Sequence, residues 1–155
     1  MSTWTEVTGI IRCDWFPMSP KLGDKMTEWK ERIDLMKEVF AEEKSPSGTE
    51  DSYIRAIINE KTLEISDLNT IVLLGSLRDF GEEEIAAQVV PYWNRVMKEL
   101  PCIRQAVMTC TSNGKTHIFE KRISADCDLF KPDSKFWTPD PGIVVHTDRT
   151  VLKPE

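Results

Sequence analysis

The 155 residues make one domain's worth of chain, and a chain of that size buries roughly two-thirds of the surface it exposes when unfolded. A composition of 40% hydrophobic and 30% charged residues excludes wholesale disorder. The net charge of −6 argues against a broad phosphate-binding surface and so against nucleic acid as a partner.

No stretch reaches the roughly 18 apolar residues of a membrane span. The segment Met1 to Glu6 has neither the basic region nor the apolar run of a secretory signal. The expected location is the cytoplasm, with Cys13, Cys102, Cys110 and Cys127 reduced. No two of these cysteines form a C-x-x-C pair, so neither a zinc ribbon nor a thioredoxin-like site is expected, and no metal or cofactor is called for.

The first strand is expected over about Thr5 to Phe16, where Val7, Ile11, Cys13 and Trp15 alternate with polar residues. Asp24 is placed to cap a helix running to about Lys44, with Met26, Trp29, Ile33, Met36 and Phe40 along one stripe. Pro46 stops it, because the residue before a proline disfavours helix. Ser52 to Asn59 reads as a short strand. Glu60 to Leu68 is ambiguous, a continuation or a bend. Thr70 to Phe80 carries the run Ile71-Val72-Leu73-Leu74, which predicts a strand buried on both faces.

Glu82, Glu83 and Glu84 suit the positive end of a second helix, whose stripe is Ile85, Val89, Trp93, Val96 and Leu100. Pro91 interrupts it and predicts a kink or a split. Asn113-Gly114 predicts a tight hairpin between Ile103–Ser112 and Lys115–Arg122, with Ser112 facing Lys115, Cys110 facing His117 and Met108 facing Phe119.

The order is β-α-β-β-α-β with an added hairpin strand. The expected class is α+β, ferredoxin-like, over residues 1–123. Residues 124–155 form an extended arm rich in proline, whose Phe136 and Trp137 are too apolar to be solvated. It is expected to pack on the domain or on a partner subunit.

Several residues invite a functional reading. Cys110 beside His117 is a thiol next to an imidazole, but two groups make neither a catalytic set nor a metal site. Arg78 and Asp79 end the most apolar strand and are candidates to face a ligand. Arg12 and Arg104 project from strands and, on a shared face, would fork onto a phosphate or carboxylate. The loop Pro46-Ser47-Gly48-Thr49-Glu50 is a weaker anion candidate. Trp4, Trp15 and Trp137 are candidate interface anchors. The far face of the hairpin, with Ile118, calls for a cover that a homodimer would supply.

The opening Trp4-Thr5-Glu6-Val7-Thr8-Gly9-Ile10-Ile11-Arg12 resembles that of a group of small phage and prophage proteins from Gram-positive bacteria. Further pieces follow in the same order. These are Pro46–Glu50 after the first helix, Gly75-Ser76-Leu77-Arg78-Asp79-Phe80 before the second, and Ile103-Arg104-Gln105-Ala106-Val107 after it. The similarity covers roughly residues 4–122 and leaves out the arm; the loop here holds less glycine than is usual in the group. The resemblance implies a phage setting and no catalytic residues. The leading expectation is a non-enzymatic binding protein that antagonises a host process, anti-defence included, by engaging a host protein or an anionic small molecule. The alternative is a small hydrolase using Asp14, Asp79 and His117, which requires those three side chains to converge.

Overall fold

The computed structural model describes residues 1–15, 29–100, 103–122 and 144–146. Its architecture is α+β. Strand β1 (Trp4–Asp14) leads to helix α1 (Trp29–Val39), and a 3-10 turn at Glu42–Lys44 precedes β2 (Arg55–Ile58). Helix α2 (Glu60–Ile65) joins β2 to β3 (Leu68–Arg78). Helix α3 runs from Glu82 to Glu99 in three pieces, and β4 (Ile103–Ser112), β5 (Lys115–Arg122) and β6 (Val144–His146) follow. The sheet order is β2-β3-β1-β4-β5-β6, and every neighbouring pair is antiparallel.

β1 alternates from Trp4 to Cys13. Thr5, Val7, Ile11 and Cys13 are buried, while Trp4, Glu6, Thr8, Ile10 and Arg12 are exposed. The period of two therefore sends one set of side chains to each face. The buried set meets Ile33, Met36 and Val39 of α1, and Val89, Trp93 and Val96 of α3, in one core cluster. The Trp93 and Phe119 rings lie 5.9 Å apart at 53°, a tilted pair at the centre of this layer. Both long helices thus cover the same face of the sheet.

β3 corrects an expectation. Its apolar run is buried on one face only: Asn69, Ile71, Leu73 and Leu77 point to the helices, while Leu74 is exposed and Val72 half-buried. Glu60–Ile65 resolves as a helical turn, with the Asn59 side chain accepting the Thr62 amide as an N-cap. The Asp24 cap and Met26 fall outside the described residues. So does most of the arm, save Val144–His146, which pair with β5.

Pro91 stands where a split is expected: a short first segment, Glu82–Glu84, precedes it, and a new α-helical segment opens at Val90 with the proline in its first turn. Ile85–Val89 form a π-turn, with the Val90 amide donating to the Ile85 carbonyl, and α-helix resumes over Val90–Glu99. Widening the turn just ahead of the ring accommodates a residue that has no amide to donate. Glu84 closes the start of α3 by accepting the Gly81 amide at 2.8 Å.

The hairpin register is as the Asn-Gly turn dictates, with Ser112 opposite Lys115, Cys110 opposite His117 and Met108 opposite Phe119. Asn113 and Gly114 both have positive φ, at 50° and 77°, the signature of a type I′ turn. At the other end of β4 the register breaks. Arg12 pairs with Gln105 but Cys13 with Ile103, so Arg104 is the extra residue of a bulge.

Candidate functional site

The four predicted ligand residues do not make one site. Arg78 is paired with Trp4 across the sheet, and Arg12 lies eight residues further along β1, a separation of about 26 Å.

At one end, Arg12 and Arg104 do converge, as their positions on neighbouring strands allow. The bulge carries Arg104 out of alternation and lets its guanidinium reach Asp14 at 2.8 Å, while Arg12 Nε lies 3.8 Å from the same carboxylate. Asp14 is almost wholly buried. The two cations therefore compensate an internal anion instead of presenting a vacant fork.

At the other end, Arg78 meets the loop that follows α1. Its guanidinium pairs with Glu50, sits 3.9 Å from Asp79, and receives Ser2 Oγ as an acceptor at 3.2 Å. Thr49 donates to Asp79 Oδ2 at 2.6 Å and its amide donates to the Arg78 carbonyl. The Gly48 amide donates to the Ser52 carbonyl and the Ser47 amide to Gln88 Oε1. These amides are engaged within the protein, so the loop offers no nest for an anion. It is a clasp. Glu50, Asp51 and Asp79 all take positive φ there, a conformation that non-glycine residues hold only where the surroundings fix it. A Cβ on Gly48 would lie 2.2 Å from the Arg78 carbonyl oxygen.

The hydrolase set is not assembled. His117 lies in the row of Cys110 and Val7; Asp14 is seven residues beyond Val7, about 23 Å away along the strand. Asp79 follows β3, three strands from β5, about 14 Å laterally before any offset along the strand. Cys110 and His117 are neighbours, yet burial pushes the Cys110 thiol up to about 12. That is the opposite of nucleophile activation. Among the described residues, no three His, Cys, Asp or Glu side chains group as metal ligands.

Two expected interface anchors are corrected. Trp15 is 0% exposed and belongs to the core, beneath the Arg32 guanidinium. Ile118 is only 7% exposed, so it is already covered within the chain. Trp4 does remain exposed, at the sheet end beside Arg78. Trp137 lies outside the described residues.

The open surface lies not on the hairpin but on the centre of the sheet, opposite the helices. Ile57, Val72, Ile10 and Val107 form one cross-strand row over β2, β3, β1 and β4. Ile10 is 51% exposed and Ile57 53%. Leu74 and Thr8 stand in the next row, where the Thr8 and Thr109 hydroxyls bond each other at 2.9 Å. Beside Leu74 and Ser76 a groove of about 450 Å³ is walled by Tyr53 and Arg55, whose guanidinium stacks 4.5 Å from the Tyr53 ring centroid. Apolar residues in the middle with Arg, Tyr and Trp around them are the composition of a protein-binding patch.

No family model, no curated protein and no solved structure matches this chain. Among the described residues, no helix is long and apolar enough to cross a membrane.

Proposed function

We propose that this chain is a non-enzymatic, phage-encoded binding protein that antagonises a host process, anti-defence among the candidates, by docking a host protein on the open face of its sheet. One observation carries the reading: the row Ile57-Val72-Ile10-Val107 spans four strands and is left uncovered by the helices. Water contact along such a row is costly, and a large exposed apolar patch rimmed by polar groups marks an interaction surface. The phage direction and the action in the host cytoplasm rest on the resemblance of residues 4–122. A ferredoxin-like arrangement is part of the proposal, supported by the antiparallel order β2-β3-β1-β4 with two long helices on one face.

A protein partner is favoured over an anionic small molecule by the pairing of the candidate cations. Arg12, Arg78 and Arg104 each already have a carboxylate within 4 Å. Affinity capture from host lysate tests the reading, with wild type, Ile10→Asp, and Glu38→Lys on the exposed side of α1 as a control. The expected result is a protein retained by wild type and control and lost by Ile10→Asp. Identical capture by all three would contradict it.

A further inference from the structure

We infer that a second copy of this chain covers the open face in the absence of a target, in a two-fold, sheet-on-sheet dimer whose axis crosses β1 at Gly9. The inference rests on reading that face as a docking surface, and it makes a host protein compete with the second copy for the same residues.

Charges on β1 are spaced symmetrically about Gly9. Its open face reads Trp4, Glu6, Thr8, Ile10, Arg12, so an anion and a cation stand three residues to either side of Gly9. An axis lying between the two sheets, perpendicular to the strands and crossing β1 at Gly9, places residue i of β1 over residue 18 − i of the second copy. Glu6 then faces Arg12 of the second copy, and Arg12 faces its Glu6. The same operation sets Val72 against Leu74 and Val107 against Thr109, because these residues occupy the rows of Ile10 and Thr8. The centre of the contact therefore sets Val72 on Leu74 and the apolar Ile10 and Val107 on the Thr8 and Thr109 side chains, and its two ends are oppositely charged pairs.

Polar groups drawn into the contact are already satisfied. The Thr8 and Thr109 hydroxyls bond each other, and Ser76 donates to Glu6 at 2.6 Å. The area also suffices. About nine residues from each of β3, β1 and β4 and the four of β2, on strands about 4.8 Å apart, project roughly 500 Å² per copy, and about 1,000 Å² in total is the lower bound for a specific interface. Sheets stacked about 10 Å apart, strands nearly aligned, leave room for these Ile, Leu and Val side chains to interdigitate.

A charge swap tests the register, read by sedimentation velocity of the full chain across a concentration series. Wild type is expected to reach twice 17.8 kDa at tens of micromolar. Glu6→Arg alone and Arg12→Glu alone are each expected to weaken association about tenfold or more, since each sets like charges face to face, with circular dichroism checking that Arg12→Glu, which also removes a cation from Asp14, keeps the fold. The double variant is expected to recover it to within about threefold of wild type. Within one chain the two positions are six residues apart on a strand, about 20 Å, so recovery has to act between copies. A monomeric wild type overturns the inference, and so does a double variant weaker than either single one. If that monomer still captures a host protein that Ile10→Asp loses, the docking reading stands and only the second copy falls. A monomer that captures nothing removes both.

Discussion

The two faces of this sheet are built from the same strands and meet opposite surroundings. On the helix side, Ile11 is 0% exposed, in a layer closed by Met36, Trp93 and Phe119. On the other side, its neighbour Ile10 stands half in solvent beside Val72 and Val107. Composition does not separate them, since both positions are isoleucine. What separates them is the connections, which place both long helices on one side and leave the other without a helix.

Substitutions sort by face. On the covered side, Trp93→Ala and Phe119→Ala are each expected to cost about 3–5 kcal/mol in chemical denaturation, with a double variant less costly than the sum because the rings touch. Equal costs for Leu74→Ala, at the centre of the open side, would break the contrast.

At the sheet end, Gly48→Ala is expected to cost about 1–3 kcal/mol, because the new methyl meets backbone atoms of Arg78 that no rotamer change can move. Faster proteolytic nicking at 46–52 in that variant would show that the clasp has opened.

The covered face also carries a pH signature. Burial holds the Cys110 thiol at about 12, against 9.0 for a free thiol, and raises the Tyr92 hydroxyl as well. The unfolded chain therefore releases the Cys110 proton first. Stability is fully present below pH 9 and falls as pH rises from 9 towards 12, by at most about 1.4 kcal/mol per unit for that group. Urea midpoints from pH 7 to 11 are expected to be flat and then to drop. Cys110→Val is expected to remove part of the drop, and an unchanged curve would place the cause elsewhere.

The smallest effects belong to the open face. Leu74→Ser and Val107→Thr, measured at protein concentrations low enough to suppress association, are expected to shift stability by no more than about 0.5 kcal/mol.

The sequence made some of this legible. Asn113-Gly114 determines its hairpin because a two-residue turn leaves one register. The alternation in β1 showed which residues share a face. Other features escaped for physical reasons. A six-residue helix at Glu60–Ile65 is too short to display a period, although the Asn59 cap was a signal. The run Ile71–Leu74 reads as doubly buried because an apolar run does not reveal that the side of Val72 and Leu74 stays partly exposed. That Arg12 and Arg104 converge on Asp14 depends on a bulge, which no alternation pattern along β4 announces. The clasp joins Thr49 to Asp79 and Gly48 to Arg78 across 30 residues, and no local pattern announces a contact of that range. Trp15 follows directly on β1 with the parity of Cys13, Ile11 and Val7, and that parity already points it into the core.

The most direct measurement compares Ile10→Asp with Ile11→Asp, the same change at adjacent positions, using circular dichroism for folding and sedimentation for association. Ile11→Asp is expected to unfold the domain, because a carboxylate in an apolar core costs a large part of a domain's total stability. Ile10→Asp is expected to keep its helical signal and thermal transition while losing association with a second copy and with any captured target. If both variants unfold, or if Ile10→Asp folds and associates as wild type does, the open face is not the working surface of this protein.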